Sequence, residues 1–258
     1  MPGAPALTAM GAFRGGAGLV RVALPVNIYS ISSAMCPCAT YLPLPVDNEG
    51  CCRQEGISAL IEEAKKSDVV AVGPGMTTGP DKIEIITALL GLDVPLVIDA
   101  DGLNCLAKIF HWDRLRKCPA VLTPHPGEFA RLTGETTESI QAARREVVVN
   151  AVIEWTEDNT SPLVALLKGQ GTVVTNAREI YINDTGNPGM ATGGSGDVLT
   201  GLIAALIAQC DNLMDATKLA VWIHGMAGDL AVKELTEVAL TATDLIDNIP
   251  NAMALAIG

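Results

Sequence analysis

The length, charge and composition of this 258-residue chain argue against several classes of protein. A formal net charge of −12 disfavours nucleic-acid binding, which needs a basic surface. The longest apolar stretch without a charge, residues 198–210, is too short to cross a bilayer, which takes about 20 residues. The chain opens without a signal-peptide pattern, and its seven cysteines cannot all pair, so we expect a soluble cytoplasmic protein.

The hydrophobic pattern predicts strands and helices that alternate along the chain. We expect strands over residues 19–24, 69–72, 96–98, 120–123 and 163–167, then a hairpin of residues 173–174 and 179–182. We expect helices over residues 56–66, 81–90, 138–155, 197–209, 216–232 and 243–256. Residues between about 25 and 52 are less regular. Strands separated by helices predict an α/β fold with a mostly parallel sheet, in a single domain because no linker or repeat interrupts the pattern.

Four polar clusters directly follow predicted strands: residues 73–75, 99–101, 125–128 and 168–172. In open α/β sheets, ligands bind beyond the carboxyl ends of the strands. We therefore expect these clusters to meet on one rim of the sheet and to form the binding site.

A glycine-rich segment, Gly193-Gly-Ser-Gly196, stands immediately before Asp197 and a charge-free apolar helix. The first turn of a helix presents unpaired N–H groups and the positive end of its dipole, which bind anions. One interpretation is a phosphate site with the Asp197 carboxylate beside it as a base. The other is a helix cap formed by Ser195 or Asp197, with glycines that only permit the turn.

Several other residues also have two interpretations. His125, held between two prolines after a strand, is either a ligand-binding residue or a stiffened surface residue. We expect His224, inside an apolar helix, to be a packed and hydrogen-bonded structural residue. Asp99 and Asp101 are either a ligand or metal pair, or Asp101 caps the following helix. Lys168, at a strand end before Gly-x-Gly, indicates phosphate contact rather than a surface lysine.

Four cysteines cluster at Cys36, Cys38, Cys51 and Cys52. Paired C-x-x-C spacing is absent and no histidine is nearby, so the pattern favours small semi-buried side chains over a zinc site.

Seven motifs in order along the chain resemble the NAD(P)H-hydrate dehydratases, which are related to the C-terminal half of YjeF proteins within the ribokinase-like superfamily. The motifs are Gly16-Ala-Gly-Leu-Val20, Val72-Gly-Pro-Gly75, Val97-Ile-Asp-Ala-Asp-Gly-Leu-Asn104, Leu122-Thr-Pro-His-Pro-Gly-Glu-Phe129, Leu167-Lys-Gly-Gln-Gly-Thr-Val173, Gly186-Asn-Pro-Gly-Met-Ala-Thr-Gly-Gly-Ser-Gly-Asp-Val-Leu-Thr-Gly201 and His224-Gly-Met-Ala-Gly-Asp229. The resemblance implies a three-layer α/β/α sandwich, with residues 1–258 as one domain. Family members usually begin with one more strand, whose loss would expose a sheet edge.

The resemblance also implies a reaction. The hydrated cofactors NADHX and NADPHX would be dehydrated to NADH and NADPH with ADP or ATP as co-substrate, by phosphorylation of the hydroxyl and elimination of phosphate. The sequence does not distinguish ADP from ATP or NADHX from NADPHX. Mg²⁺ would arrive with the nucleotide, and no protein ligand to a metal is assigned. The resemblance further implies a homo-oligomer, with a tetramer as one candidate.

The resemblance assigns roles to individual residues. Asp197 is the expected catalytic base and also contacts the hydrated cofactor. The expected nucleotide contacts are Lys168, Gly169, Gln170, Gly171, Thr172, Gly194, Ser195 and Gly196. The other expected substrate contacts are Gly75, His125, Asn187 and a turn at Gly3 and Ala4.

Two alternative functions stay open on the sequence. One is a ribokinase-like kinase of a vitamin precursor, in which the reaction stops at the phosphoester. The other is a non-catalytic nucleotide-binding module. The Thr-Pro-His-Pro-Gly-Glu and Lys-Gly-Gln-Gly-Thr motifs together favour the dehydratase over the kinase.

Overall fold

The computed structural model describes residues 1–257 and contains twelve α-helices and eight strands within them. The strands are β1 (Arg21–Pro25), β2 (Thr40–Leu44), β3 (Val70–Val72), β4 (Leu96–Ile98), β5 (Ala120–Leu122), β6 (Leu163–Leu167), β7 (Val173–Thr175) and β8 (Ile180–Ile182). The helices are α1 (Gly3–Arg14), α2 (Tyr29–Met35), α3 (Gln54–Ala64), α4 (Pro80–Leu90), α5 (Ala100–Leu106), α6 (Trp112–Leu115), α7 (Pro126–Thr133), α8 (Thr137–Ala142), α9 (Arg144–Thr156), α10 (Ser195–Ile207), α11 (Leu213–Ala231) and α12 (Ala242–Ile257).

The main sheet has six strands in the order β3-β4-β5-β6-β7-β8. The pairs from β3 to β6 are parallel, and β7 and β8 continue the sheet as an antiparallel hairpin. Successive side chains of a strand point to opposite faces. Accordingly, Leu96 and Ile98 lie in the apolar core against α3 to α9, while Val97 lies in the core against α10 to α12. Helices therefore cover both faces, as in the three-layer α/β/α sandwich that the resemblance implied.

A second sheet consists of β1 and β2, which pair in parallel. Within residues 1–257, β1 pairs with β2 alone, and β3, the first strand of the main sheet, pairs with β4 alone. One edge of each strand therefore carries no ladder partner.

The predicted strands at residues 96–98 and 163–167 and the predicted hairpin are confirmed. The single helix predicted over residues 138–155 is wrong, because Ala143 leaves the helical region (φ −138°, ψ 42°) and separates α8 from α9. The stretch that was predicted to be irregular contains α2 and β2.

The turn predicted at Gly3 and Ala4 is also wrong, because both residues lie in the first turn of α1. Alanine favours the helical conformation, and proline is tolerated in a first helical turn. Two glycines then let α1 lie directly on α10. A side chain at Gly11 would collide with the backbone of Val198, and one at Gly201 with the backbone of Thr8.

Helices α11 and α12 are the longest, with 19 and 16 residues. Among residues 1–257, no helix combines the length and apolarity that crossing a membrane requires.

Candidate active site

The glycine-rich segment forms the start of α10. Gly194 precedes the helix with a left-handed φ of +91°, and a side chain there would approach Leu7 Cδ1 to 2.5 Å. The helix begins at Ser195, so Asp197 is its third residue and lies in the first turn, two residues further into the helix than the sequence predicted. The carboxyl group thus stands at the end of the helix where backbone N–H groups lack intrahelical partners.

A buried ion pair lies beside this turn. Lys168 Nζ is 2.6 Å from Asp99 Oδ1 and 3.7 Å from Glu128 Oε2. Thr200 Oγ1 donates a hydrogen bond to Asp99 Oδ2 at 2.7 Å. Asp99 is only 1% exposed, so its charge depends on Lys168 and Thr200 for compensation. A side-chain carbon at Gly196 would be 3.4 Å from Lys168 Nζ, which shows that the helix start and the lysine are adjacent.

The three strand ends therefore meet as predicted. Asp99 follows β4, Glu128 lies in α7 directly after β5, and Lys168 follows β6. The Lys168 N–H also donates to the carbonyl of Pro124 at 2.9 Å, which joins the ends of β5 and β6. Lys168 is not a free surface side chain, since its ammonium contacts two carboxylates.

Asp197 is partly buried beside this pair. The pKa of its carboxyl is raised to about 6, mainly by burial and also by the Asp99 charge, while the Lys168 charge opposes both. A carboxyl group with a pKa of about 6 can take up a proton near neutral pH, which is what a general base must do.

His224 packs against the same helix start and forms a hydrogen bond to its backbone. It is 8% exposed, and its Nε2 lies 2.9 Å from the carbonyl oxygen of Ser195. Burial lowers the pKa of the imidazole to about 4, so at neutral pH the ring is uncharged and Nε2 donates to the carbonyl. This confirms the predicted structural role of His224. The Ser195 hydroxyl is buried and has no hydrogen-bond partner within residues 1–257.

The loop of residues 168–172 borders the ion pair. Gly169 and Gly171 adopt left-handed φ values of +136° and +61°, which turn the backbone sharply. Thr172 Oγ1 closes the loop by donating to the Gly169 carbonyl at 3.0 Å. Gly169 and Gln170 are exposed, so their backbone groups are open to a ligand.

Arg144 fixes the backbone of this loop by hydrogen bonds. The sequence did not identify Arg144 as part of the site. Its Nη2 donates to the carbonyls of Leu167 at 2.9 Å and Lys168 at 3.3 Å. The break at Ala143 that starts α9 is what places Arg144 there. No local pattern signals this contact, because the bonded residues are 23 and 24 positions apart in the chain.

The turn after β3 contains Gly75, which has a left-handed φ of +68°. A side chain on Gly75 would be 2.8 Å from the Met1 carbonyl oxygen and 3.0 Å from Ala4 Cβ. The structure therefore brings Gly75 together with Gly3 and Ala4, although these two residues start a helix rather than form a turn.

Asp101 fixes the turn after β3, because its Oδ2 accepts the Thr77 N–H at 2.9 Å. Asp101 therefore makes no cap for α5, and within residues 1–257 no side chain caps that helix.

His125 caps α7. Its Nδ1 accepts the N–H groups of Gly127 at 3.0 Å and Glu128 at 3.3 Å, and Glu128 Oε2 accepts the His125 N–H at 2.8 Å. This reciprocal capping box fixes the ring, yet the side chain is 50% exposed. The imidazole thus has a fixed position and is half exposed to solvent.

Asn187 is anchored separately. Its Nδ2 donates to Asp229 Oδ1 at 3.1 Å, while the Gly186 N–H donates to Asp229 Oδ2 at 2.8 Å. Asp229 belongs to a motif that the sequence singled out, but its function as the anchor of the 186–187 backbone was not predicted.

Comparisons with known proteins identify the family. The family model described as NAD(P)H-hydrate dehydratase matches residues 1–251. The chain belongs to the NAD(P)H-hydrate dehydratase family. The bifunctional NAD(P)H-hydrate repair enzyme Nnr of Moorella thermoacetica is 40% identical over 255 residues, which are 97% of this chain and 46% of that protein. The chain thus spans about half the length of the curated relatives it matches.

Solved structures agree with the family. The ADP/ATP-dependent NAD(P)H-hydrate dehydratase of Bacillus subtilis, co-crystallized with ATP/Mg²⁺ and soaked with CoA, is 30% identical with a TM-score of 0.79, over 99% of this chain and 87% of that one. Arabidopsis thaliana ribokinase, complexed with ribose and ATP, is 13% identical with a TM-score of 0.54, over 95% of this chain and 86% of that one. The second likeness shows the fold alone and confirms the ribokinase-like architecture.

The site of this NAD(P)H-hydrate dehydratase family member fits a nucleotide. The exposed glycine backbone of the 168–172 loop, the Lys168 ammonium and the buried, unpartnered Ser195 hydroxyl are groups that bind phosphate oxygens. Residues 1–257 contain no group of three His, Cys, Asp or Glu side chains arranged to hold a metal. A magnesium ion usually keeps several waters and is held largely by substrate phosphates, so the site can take Mg²⁺ together with a nucleotide.

Proposed function

We propose that this chain converts hydrated NADH and NADPH back to the intact cofactors, using ADP or ATP as phosphoryl donor. The observation that carries the proposal is the position of Asp197, whose carboxyl has a pKa of about 6 and stands in the first turn of α10 beside Lys168 and Asp99. A proton acceptor next to an anion-binding helix start is the arrangement that phosphoryl transfer to a hydroxyl requires.

In the first step, Asp197 accepts the proton of the substrate hydroxyl while the hydroxyl oxygen forms a bond to the terminal phosphorus of the nucleotide. The bond from that phosphorus to the remaining nucleotide breaks, and the nucleotide leaves with the electron pair. The start of α10, including Gly196 and the Ser195 hydroxyl, would hold the transferred group. Positioning and charge stabilisation are the main contributions a protein makes to this chemistry.

In the second step, phosphate leaves the ring carbon with the electrons of the carbon–oxygen bond, and the neighbouring carbon loses a proton to water as the double bond forms. Hydroxide is a poor leaving group and phosphate a good one, which explains why phosphorylation comes first. Lys168 would balance the charge of the bound phosphate, because its ammonium is already fixed between β4, β5 and β6.

The nucleotide would lie along the 168–172 loop and Gly194, with Mg²⁺ held mainly by its phosphates to neutralise their charge. The hydrated cofactor would lie on the opposite side of Asp197, against Gly75 and the start of α1. His125 and Asn187 would contact it from positions that Glu128 and Asp229 fix.

The test is to incubate the protein with NADHX or NADPHX and with ADP or ATP, and to follow the return of reduced-nicotinamide absorbance. Recovery of absorbance that Asp197→Ala abolishes supports the proposal. Phosphorylated vitamin precursor without NADH would support the kinase instead, and nucleotide binding with neither product would support a binding module.

We also propose that the protein acts in the cytoplasm as a homo-oligomer, with a tetramer as one candidate. Its low content of charged residues, 18%, supports self-association. Light scattering on the purified protein across a range of concentrations tests this, since a strictly monomeric mass would contradict it.

A further inference from the structure

His224 is a buried residue of α11 to which the proposed reaction gives no part. Its Nε2 lies 2.9 Å from the carbonyl oxygen of Ser195, the first residue of α10. Within an α-helix, that carbonyl already accepts the N–H group four residues further on, so it needs no second donor. An imidazole is also more costly to bury than a hydrocarbon side chain. The hydrogen bond therefore indicates a role beyond filling the core.

The bonded carbonyl shares a peptide unit with the N–H group of Gly196. A trans peptide is planar, and its C=O and N–H bonds point in opposite directions. Holding the carbonyl at His224 therefore also fixes the direction of the Gly196 N–H, which leads away from His224. This N–H is one of the first-turn donors without an intrahelical partner. Gly196 also lies beside the ion pair, since a side-chain carbon there would be 3.4 Å from Lys168 Nζ.

Helix α11 holds the segment of residues 185–195 at both ends. Asp229 accepts the N–H of Gly186 at 2.8 Å near the beginning of the segment, and His224 bonds to its last residue. Between these two contacts, a side chain at Gly225 would collide with the backbone of the segment. The segment therefore lies directly on α11, and its end, where α10 begins, depends on His224 for its orientation.

We propose that His224 is a positioning residue of the phosphoryl site, which fixes and polarises the peptide between Ser195 and Gly196 for the transfer step. The inference rests on the proposed phosphoryl transfer. A donor on the carbonyl makes the N–H of the same peptide a stronger donor in turn, because hydrogen bonds in a chain polarise one another. Preorganised donors of this kind stabilise the charge of the transferred group in the transition state.

The imidazole donates as an uncharged group, because burial lowers the pKa of His224 to about 4. A neutral amide can therefore replace it. Glutamine places an N–H group the same number of bonds from Cα as the histidine Nε2, and methionine places a methyl group there instead. His224→Gln and His224→Met thus form a matched pair that differs in the donor and not in reach.

The first test compares the single-turnover rate of NADHX repair with ATP, which product release cannot mask. His224→Met should lower this rate about tenfold, since losing a whole oxyanion donor costs about 10²–10³-fold and here the donor is only weakened. The Kd for ATP should change less than about twofold, because the bond acts in the transfer step. His224→Gln should keep the parent rate. Ile223→Val, at the neighbouring buried position, is the control and should lower Tm without changing the rate.

The second test observes the peptide itself and needs no nucleotide or hydrated cofactor. Ser195-Gly196 is the only Ser-Gly pair in the chain. Cell-free synthesis with carbonyl-¹³C serine and ¹⁵N glycine therefore gives a single HNCO resonance, which belongs to this peptide. In the parent protein and in His224→Gln, its carbonyl carbon and amide nitrogen should resonate downfield of their positions in His224→Met, because the carbonyl accepts an additional hydrogen bond.

A Met variant that keeps the parent rate overturns the proposal, and so does a Gln variant that loses as much rate as the Met variant. An HNCO resonance that His224→Met leaves unmoved also overturns it, since the peptide is then not polarised by the imidazole. If His224→Met does not fold, His224→Asn, whose amide is too short to reach the carbonyl, takes its place under the same expectations.

The two proposals fail in different ways. A parent protein without repair activity overturns the proposed function, and the positioning role falls with it. An active parent protein with an equally active Met variant overturns the positioning role alone.

Discussion

The two sides of Asp197 are built in different ways. On the nucleotide side, four buried or partly buried side chains from separate parts of the fold hold the site: Asp99 bonds to Lys168 and Thr200, and Arg144 donates to the loop that carries Lys168. On the side of Gly75, the turn after β3 rests on the start of α1, and β3 itself is only partly buried. Regions with few buried contacts open locally at low free energy. We therefore expect the nucleotide side to be rigid and the substrate side to be the adaptable part of the site.

The largest effect should come from the residue between the two sides. Asp197→Ala should lower the rate of hydrate repair by about 10³-fold or more, since positioned bases contribute about 10²–10⁴-fold. Steady-state kinetics with NADHX and ATP measure this. Asp93→Asn is the control, because this exposed carboxylate precedes β4 at the opposite rim of the sheet. A fall in the repair rate of less than tenfold would show that Asp197 is not the catalytic base.

The same assay has a pH signature. The active form of Asp197 is the carboxylate, and the pKa of the group is about 6. The value of kcat/KM should therefore fall as the pH drops through about 6. A flat profile between pH 5 and pH 7 would contradict this assignment.

The rigidity of the nucleotide side depends on the ion pair. Lys168→Met leaves the Asp99 carboxylate buried without its cation, and breaking such a pair costs about 3 kcal/mol of unfolding free energy. Asp99→Asn in the same chain should restore most of that stability, but not nucleotide binding, because the ammonium is still missing. Urea unfolding of the two single variants and the double variant forms the required cycle. Additive losses of stability would show that the two side chains are not coupled.

The helix start also predicts how stability changes with pH. The pKa of His224 is lowered to about 4, so its favourable contribution is present above pH 6.5 and is lost as the pH falls through 4. The pKa of Asp197 is raised to about 6, so its burial destabilises the fold at neutral pH, and this cost disappears as the pH falls through 6. The two effects therefore oppose each other between pH 7 and pH 4.

Asp197→Asn removes one of these opposing terms. The variant should be more stable than the parent protein at pH 7, by about 1–2 kcal/mol after allowance for the partial exposure of the carboxyl. It should then lose stability more steeply than the parent on acidification to pH 4. Urea midpoints across this range measure the difference, and parallel curves for the two proteins would contradict the prediction. Asp93→Asn should follow the parent protein throughout.

Local patterns predicted the parts of the site that lie on continuous segments. The glycine-rich start of α10 placed Asp197 within two residues of its position, and the strand at Leu163–Leu167 placed Lys168 at its end. The contacts that orient these residues were not predictable in the same way. Thr200 is an ordinary residue in a helix, and it acquires its role only because Asp99, 101 positions away, is folded against it.

The start of the chain shows an error of a different kind. The family resemblance implied a turn at Gly3 and Ala4, where the structure begins α1. Helix α1 packs on α10 through Gly11 and Gly201, a contact between residues far apart in the sequence that no local pattern indicates.

The smallest expected effect tests whether Arg144 positions the 168–172 loop rather than binding the nucleotide itself. Arg144 donates to the carbonyls of Leu167 and Lys168, and its guanidinium also lies against Gly169. Arg144→Gln should raise the KM for ATP about tenfold, equivalent to about 1.4 kcal/mol, with kcat changed much less, because loop order affects nucleotide binding first. The neighbouring Arg145→Gln is the matched control, since Arg145 is exposed. A fall in kcat at unchanged KM would mean that Arg144 acts on the chemical step rather than on the order of the nucleotide loop.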